Sequence, residues 1–204
     1  MSDENCNYLV KFSGIEKQNV EVCPNSIKVN EPVTVDKREI RNMYELPTDK
    51  RIFVYGGNLG VAQGIDFIIS CLNENEKSEG HYILIVGSGT EFQRLMGWFN
   101  EKKPTNCKII SALPQEKYSE LMAACDVGLI FWDHRFTIPN FPSRLLSYMK
   151  EKKPVLAATD PCTDIGRIIE KGGFGYWCES NDVNGFINAM SRFDNDNENK
   201  KMVL

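Results

Sequence analysis

Residues 55–64, YGGNLGVAQG, lie between a short apolar run at 52–55 and a stretch whose apolar residues (65, 68, 69 and 72) recur with helical spacing. This order of strand, glycine-rich loop and helix is typical of a phosphate-binding unit. Gly56, Gly57 and Gly60 leave backbone N–H groups unshielded, and the following helix points its positive end at the loop. We therefore predict that a phosphate binds at this loop.

The same strand–helix unit recurs along the chain. Six apolar runs are each followed by a stretch whose apolar residues have helical spacing. The apolar runs lie at 52–55, 82–86, 108–110, 126–132, 154–158 and 175–178. The helical stretches that follow them, in the same order, lie at 64–73, 91–99, 115–124, 143–152, 164–171 and 183–193. Short strands rich in Val and Ile indicate burial on both faces. We predict an α/β fold, a Rossmann-like doubly wound parallel sheet of six strands. For the strand order 3-2-1-4-5-6, the ligand crevice opens between the loops 56–63 and 133–142.

Composition limits the classes of function. The chain has 204 residues, enough for one good core, and a net charge of −4, which argues against a nucleic-acid binder. Its polar, acidic start does not resemble a signal peptide, and no apolar run approaches the roughly 20 residues that span a bilayer. The seven cysteines show no Cys-x-x-Cys pair and indicate reduced thiols in the cytoplasm. No His or carboxylate cluster has ligand spacing, so we expect no metal, and we predict no cofactor.

A second anion-binding position is predicted where the helix at 143–152 begins. Ser143 is a suitable N-cap, and Arg144 and Ser147 fall on one face of the helix. The opposite face carries the expected buried residues, Leu145, Leu146 and Met149. A cation at a helix N-terminus opposes the helix dipole, so Arg144 favours a nearby anion, with a solvated arginine or a salt bridge as the alternative.

Four further positions near the crevice are candidates. Asn58 offers an amide donor beside the first loop, and Gln63 either hydrogen-bonds a ligand or caps its helix. Gly87 and Ser88 follow the second strand and allow close approach of a ligand. The absence of a G-x-G-x-x-G spacing, and of an acidic residue ending the second strand, disfavours an NAD-dependent oxidoreductase. His134, in the loop after the fourth strand, is more typical of a solvated side chain than of an acid–base group.

Several ordered motifs resemble the carboxyl-terminal domain of family 4 (group 1) glycosyltransferases of bacterial polysaccharide synthesis. These motifs are VEVCPNSI (20–27), YGGNLGVAQG (55–64), ILIVGSG (83–89), ALPQEKYSELMAACDVGLI (112–130) and FPSRLLSYMKEKKPV (141–155). The family consists of retaining enzymes with two facing Rossmann-like domains, the GT-B fold. The resemblance implies that the chain is the donor-binding half of such an enzyme, that its partner is a UDP- or GDP-linked sugar, and that a nucleoside diphosphate leaves during transfer of a glycosyl group to a hydroxyl acceptor.

The resemblance also implies where the donor would lie. The base would sit near Gly87, Ser88, Leu113 and Pro114. The diphosphate would lie over the loop 57–60 and the start of helix 143–152, with the sugar directed toward 133–142. Four positions depart from the family pattern: an Arg and a Lys are replaced by Asn58 and Gln63, and two Glu by Pro139 and Ser147. We expect Arg144 to supply part of the missing positive charge.

The resemblance implies three segments. Residues 1–19 are expected to be the remnant of a preceding domain and its linker, 20–193 the nucleotide-sugar-binding domain, and 194–204 a polar tail. An amino-terminal acceptor domain is then missing, and the chain alone is expected to be inactive, with no catalytic residue assigned. We expect a cytoplasmic protein without a transmembrane segment and leave open whether the full-length enzyme reaches the inner face of the membrane. The alternative function is a non-catalytic nucleotide-binding or regulatory module of the same fold.

Overall fold

The structure, a computed structural model, describes residues 2–28 and 31–195 and contains a six-stranded, fully parallel sheet. Its strands are β1 (Arg51–Asn58), β2 (His81–Ser88), β3 (Cys107–Ser111), β4 (Val127–Phe131), β5 (Val155–Thr159) and β6 (Gly175–Glu179). Their spatial order is β3-β2-β1-β4-β5-β6. The predicted doubly wound sheet and its strand order are therefore confirmed.

Two layers of helices cover the sheet. The helices in the described part of the chain are α1 (Asp3–Ser13), α2 (Lys37–Met43), α3 (Ile65–Asn75), α4 (Phe92–Lys102), α5 (Gln115–Ala124), α6 (Arg144–Lys150), α7 (Ile165–Gly172) and α8 (Val183–Asn195). Helices α3, α4 and α8 pack on the face that carries Phe53 and Tyr55 of β1. Helices α2, α5, α6 and α7 pack on the face that carries Ile52 and Val54. Alternate side chains of one strand thus pack into two separate hydrophobic cores, one on each face of the sheet.

Strand β1 is longer than the apolar run predicts. It continues through Gly56 and Gly57 to Asn58, with Gly57 paired to Gly87 and Asn58 to Ser88 of β2. Glycine lacks strand propensity, so sequence reasoning placed these residues in a loop. Pairing with a neighbouring strand supplies the order that propensity does not.

Helix α2 was not predicted, because its seven residues are mostly polar. Its Asp36 N-cap accepts hydrogen bonds from the backbone N–H groups of residues 38 and 39. Arg41 then fixes the helix to the sheet: its guanidinium donates to the carbonyl of Ala124 at 3.0 Å and to the carboxylate of Asp126 at 2.7 Å. The charged residue is 7% exposed, so a buried tertiary contact, rather than an apolar stripe, holds this helix.

The two ends of the described chain are tied to the domain. Helix α1 contacts the loop after β4, where the Asn5 amide donates to the carbonyl of Pro139 at 2.6 Å. Helix α8 runs to Asn195, two residues beyond the predicted helix 183–193, and Asp194 pairs with Arg51 and His81. The rest of the predicted polar tail, 196–204, lies outside the described residues. Within the part of the chain that the structure describes, no helix is long and apolar enough to span a bilayer.

Candidate functional site

A cleft of about 360 Å³ opens at the carboxyl ends of β1, β2 and β3, against the starts of α5 and α6. It lies on the side of β1 that faces β2 and β3 and reaches across to α6, which follows β4. Its lining residues are Gly56, Gly57, Val86, Gly87, Ser88, Ala112, Leu113, Gln115, Tyr118, Ser143, Arg144 and Ser147. The structure therefore brings together seven of the eleven residues that the sequence nominated, from four different elements or their termini.

Arg144 is the cation of this cleft. Its guanidinium carbon lies 4.2 Å from the centroid of the Tyr55 ring. Tyr55 is fully buried, and its hydroxyl donates to the carbonyl of Asn58 at 2.5 Å, so the ring is a fixed platform. No carboxylate among residues 2–28 and 31–195 forms an ion pair with Arg144. The salt bridge that we considered as an alternative to anion binding is therefore not present in the described part of the chain. Burial raises the pKa of Tyr55, and the positive charge of Arg144 opposes that rise.

Glycines make the floor of the cleft bare backbone. Gly57 has φ +132°, and a Cβ built there would lie 2.1 Å from Nη2 of Arg144. A Cβ on Gly87 would lie 2.0 Å from the carbonyl oxygen of Gly57. A side chain at Gly87 is thus excluded by the neighbouring strand, and one at Gly57 would displace the guanidinium. A ligand can approach the main chain closely here, where the two glycines lie side by side at the ends of β1 and β2.

Three residues of the first loop do not line the cleft. The buried side chain of Gln63 accepts the backbone N–H of Gly60 at 2.9 Å and the Asn58 amide at 3.3 Å. The predicted role of Gly60 as a bare N–H donor is therefore wrong, because that donor is already paired. Gln63 closes its own loop, which is the capping alternative rather than the ligand-binding one, and the Asn58 amide points into the same contact.

Helix α6 presents its cleft side much as predicted, with two corrections. Ser143 occupies the N-cap position but its side chain makes no capping hydrogen bond, and the residue lines the cleft. Ser147 lines the cleft one turn later. The buried residues are Leu145 and Tyr148, whereas Met149 is 48% exposed. The helix is rotated relative to the predicted stripe because Gly128 leaves space for the Tyr148 ring.

Sequence reasoning missed Tyr118, which comes from α5. Its hydroxyl lies against Gly56, where a Cβ would approach to 2.0 Å, and that oxygen is buried without a hydrogen bond in the described structure. Burial raises the pKa of Tyr118 to about 12. Leu113 and Gln115, at the β3–α5 connection, complete this end of the cleft, whereas Pro114 holds the N-cap position of α5 and does not line it. An amphipathic helix after a parallel strand was the available signal for Tyr118.

The loop after β4 is organised by its own ion pair. Asp133 is buried and accepts two hydrogen bonds from the Arg135 guanidinium, at 2.9 and 2.6 Å. The guanidinium is the main cause that lowers the pKa of Asp133. His134 lies on the surface with Nδ1 3.6 Å from the Asp133 carboxylate and does not line the cleft. Among the described residues, no three His, Cys, Asp or Glu side chains are grouped in a way that could hold a metal ion.

The class of protein follows from comparison with known families. Residues 36–203 match the family model described as Glycosyl transferases group 1. Because this match covers most of the chain, the chain belongs to that family. The match also spans α2, the helix that the sequence pattern did not reveal.

Individual relatives agree with the family. A Pseudomonas aeruginosa protein named as probable glycosyltransferase WbjE is 31% identical over 135 residues, which is 65% of this chain and 33% of that protein. WaaG, a glycosyltransferase involved in lipopolysaccharide biosynthesis, superposes with a TM-score of 0.73 at 16% identity, covering 99% of this chain and 54% of that chain. Anabaena Alr3699/HepE, solved in complex with UDP-glucose, gives 0.76 at 17% identity, covering 95% and 52%. The chain thus spans about a third to a half of the length of these relatives.

Proposed function

We propose that the cleft binds a nucleotide-sugar donor and that this domain is the donor-binding half of a retaining, family 4 glycosyltransferase. One observation carries the proposal: the Arg144 guanidinium rests on the Tyr55 ring directly above the bare backbone of Gly57, without a carboxylate partner in the described chain. A fixed cation beside unshielded main chain matches the charge and the shape of a diphosphate. HepE, a protein of the same fold, was solved with UDP-glucose, which supports this ligand class.

The proposed donor lies along the cleft. The diphosphate contacts Arg144, Gly57 and Ser143, and the base lies toward Gly87 and Leu113. The sugar then extends toward the loop 133–142. During transfer the bond between the sugar and the diphosphate breaks, and the diphosphate leaves with the bonding electrons. The oxygen of an acceptor hydroxyl forms the new bond to the sugar, and its proton passes to the departing diphosphate. Arg144 stabilises the charge that grows on the leaving group, which is an electrostatic contribution that needs no movement of the protein.

The whole enzyme requires a second domain in this proposal. The chain covers 52% of the HepE chain and 33% of WbjE. We assign part of the uncovered length to an amino-terminal acceptor domain, because glycosyl transfer needs both reactants held at one place. The 204-residue chain alone is then expected to bind the donor without transferring sugar. We place the enzyme in the cytoplasm, where nucleotide sugars are made, and in polysaccharide or lipopolysaccharide synthesis.

Titration of the chain with UDP and GDP tests the binding proposal. We expect a rise in melting temperature and amide shifts in NMR spectra confined to residues 56–57, 87–88 and 143–147. Arg144→Gln removes the cation and should weaken binding by roughly 10–150-fold, the value of a charge-assisted hydrogen bond. Arg94→Gln is the matched control, since Arg94 lies exposed on α4 and pairs with Asp66 away from the cleft. Equal effects of both variants, or no shift with either nucleotide, would refute the proposal.

A specific observation also supports a non-catalytic nucleotide-binding module. Pro139 and Ser147 stand where the resemblance places two glutamates, and the Pro139 carbonyl is occupied by Asn5. The full-length protein separates the two functions. Slow release of glucose from UDP-glucose, lost in Arg144→Gln, supports the transferase. Tight UDP binding with no release of sugar over a day, with or without acceptors, supports the module.

A further inference from the structure

The polar lining of the cleft consists of hydroxyl and amide groups and one cation. Its polar members are Ser88, Gln115, Tyr118, Ser143, Arg144 and Ser147. No Asp or Glu of the described chain lines it. Sites that select ribose commonly place a carboxylate on the 2′-hydroxyl, because an ionised carboxylate accepts strong hydrogen bonds from sugar hydroxyls. This cleft carries a group for the diphosphate and no such group for the pentose.

The pentose has a defined place if the proposed function holds, on which this inference rests. Arg144 and Gly57 mark the diphosphate end of the cleft, and Leu113 marks the opposite end, at the β3–α5 connection. Between them the floor is the backbone of Gly87, held beside Gly57 by the β1–β2 register. Ser147, one helical turn beyond Ser143 on α6, also lines the cleft. We place the pentose over this main chain, beside the Ser147 hydroxyl.

We propose that this cleft binds 2′-deoxyribonucleoside diphosphates as well as ribonucleoside diphosphates, so that its donors include deoxyribonucleoside diphosphate sugars. Where a buried carboxylate accepts a hydrogen bond from the 2′-hydroxyl, a deoxy ligand leaves that carboxylate unpaired, and the loss of binding free energy is large. Ser147 is only half-buried, and its neutral hydroxyl pairs with water when the ligand hydroxyl is absent. The loss of the 2′-hydroxyl therefore costs this site little.

Calorimetric titration of the unmodified chain with UDP and with 2′-deoxyuridine diphosphate tests the inference, because the two ligands share base and diphosphate. We expect dissociation constants within about threefold, as for a solvated neutral hydrogen bond. Binding of the deoxy ligand that is weaker by about tenfold or more would overturn the inference while leaving the proposed function intact. If neither ligand binds, the proposed function fails, and the inference falls with it.

Ser147→Glu tests the position of the pentose. It places a carboxylate beside the 2′-hydroxyl and should raise the preference for UDP over the deoxy ligand to about tenfold or more. Ser143→Glu is the matched control, with the same charge change one turn earlier beside Arg144. It should weaken both ligands equally and leave their ratio near one. An unchanged ratio of the two dissociation constants in Ser147→Glu would contradict the placement of the pentose. Circular dichroism verifies that the variant folds. If it does not fold, the comparison of the two ligands in the unmodified chain decides the inference.

Discussion

Replacing Gly57 with alanine should disable the proposed diphosphate-binding end of the cleft without removing any charged group. The added methyl would lie 2.1 Å from Nη2 and 3.1 Å from Cζ of Arg144, well inside van der Waals contact. The guanidinium is the far end of a flexible side chain, so it can move away from the methyl group. In doing so it leaves the Tyr55 ring and the position above residue 57. We therefore expect Gly57→Ala to mimic the loss of Arg144.

Two separate magnitudes follow from this geometry. The φ of +132° at Gly57 is unfavourable for an L-residue, and such strain costs about 1–3 kcal/mol in the free energy of unfolding. Displacing the guanidinium removes a charge-assisted contact to phosphate, which is worth about 1.5–3 kcal/mol and corresponds to a roughly 10–150-fold loss of UDP affinity. The first effect is measured by urea denaturation and the second by calorimetric titration.

A double-mutant cycle separates displacement of Arg144 from general damage. If the methyl acts through Arg144, then Gly57→Ala combined with Arg144→Gln should bind UDP no more weakly than Arg144→Gln alone. Gly173→Ala is the strain control: Gly173 has φ +66° at the end of α7, and a Cβ there meets nothing within 4 Å. It should lower stability without changing UDP affinity. Additive losses of affinity in the double variant would refute the reasoning.

Three further outcomes are expected. Burial raises the pKa of Tyr118 to about 12, so the folded state resists its ionisation. The stability that this tyrosine contributes is fully present below pH 10 and falls by about 1.4 kcal/mol per pH unit as the pH rises from 10 to 12, which alkaline denaturation followed by tyrosinate absorbance measures. Gly128→Ala drives a methyl to 2.5 Å from the buried Tyr148 ring and should cost about 1–3 kcal/mol in urea denaturation, whereas an unchanged midpoint would show that the ring has room to move. Arg41→Met should lower the free energy of unfolding by about 1.5–3 kcal/mol, with m-values confirming two-state unfolding, because it removes the side-chain donor of the Ala124 carbonyl and one of the partners of the Asp126 carboxylate, which keeps the Ile52 N–H and Lys37.

The sheet was predictable because its strands carry one strong signal each. Runs such as 82–86 are apolar throughout, because a strand that is buried on both faces carries apolar side chains on both of them. Helix α2 was not predictable in this way. Its contribution to the core is Ile40, and its position depends on Arg41, a residue whose role appears only when residues 124 and 126 are brought beside it.

The site was predictable where it depends on topology and unpredictable where it depends on local hydrogen bonds. The switch in strand order predicts a crevice beside the end of β1, which nominates Gly57 and Arg144. Gly87 was nominated separately, as a glycine after the second strand, and the loop 133–142, predicted as the other side of the crevice, contributes no lining residue to the cleft. Within the first loop, however, Gln63 pairs with the amide of Gly60. A glutamine three residues after a glycine is compatible with binding a ligand or with closing a turn, and the sequence does not distinguish these cases.

The first loop, which Gln63 closes, does not supply the positive charge of the cleft. Positions 58 and 63 carry neutral amides that bond to each other, so the first loop contributes no charge of its own. The positive charge comes instead from α6, and its alignment over β1 depends on how that helix is held. The Tyr148 hydroxyl lies 3.0 Å from the carbonyl oxygens of both Val54 and Leu129, where β1 and β4 stop pairing and separate. A tyrosine one turn from Arg144 fills this gap between β1 and β4, so the side chain that bonds to both strands also anchors the helix that carries the cation.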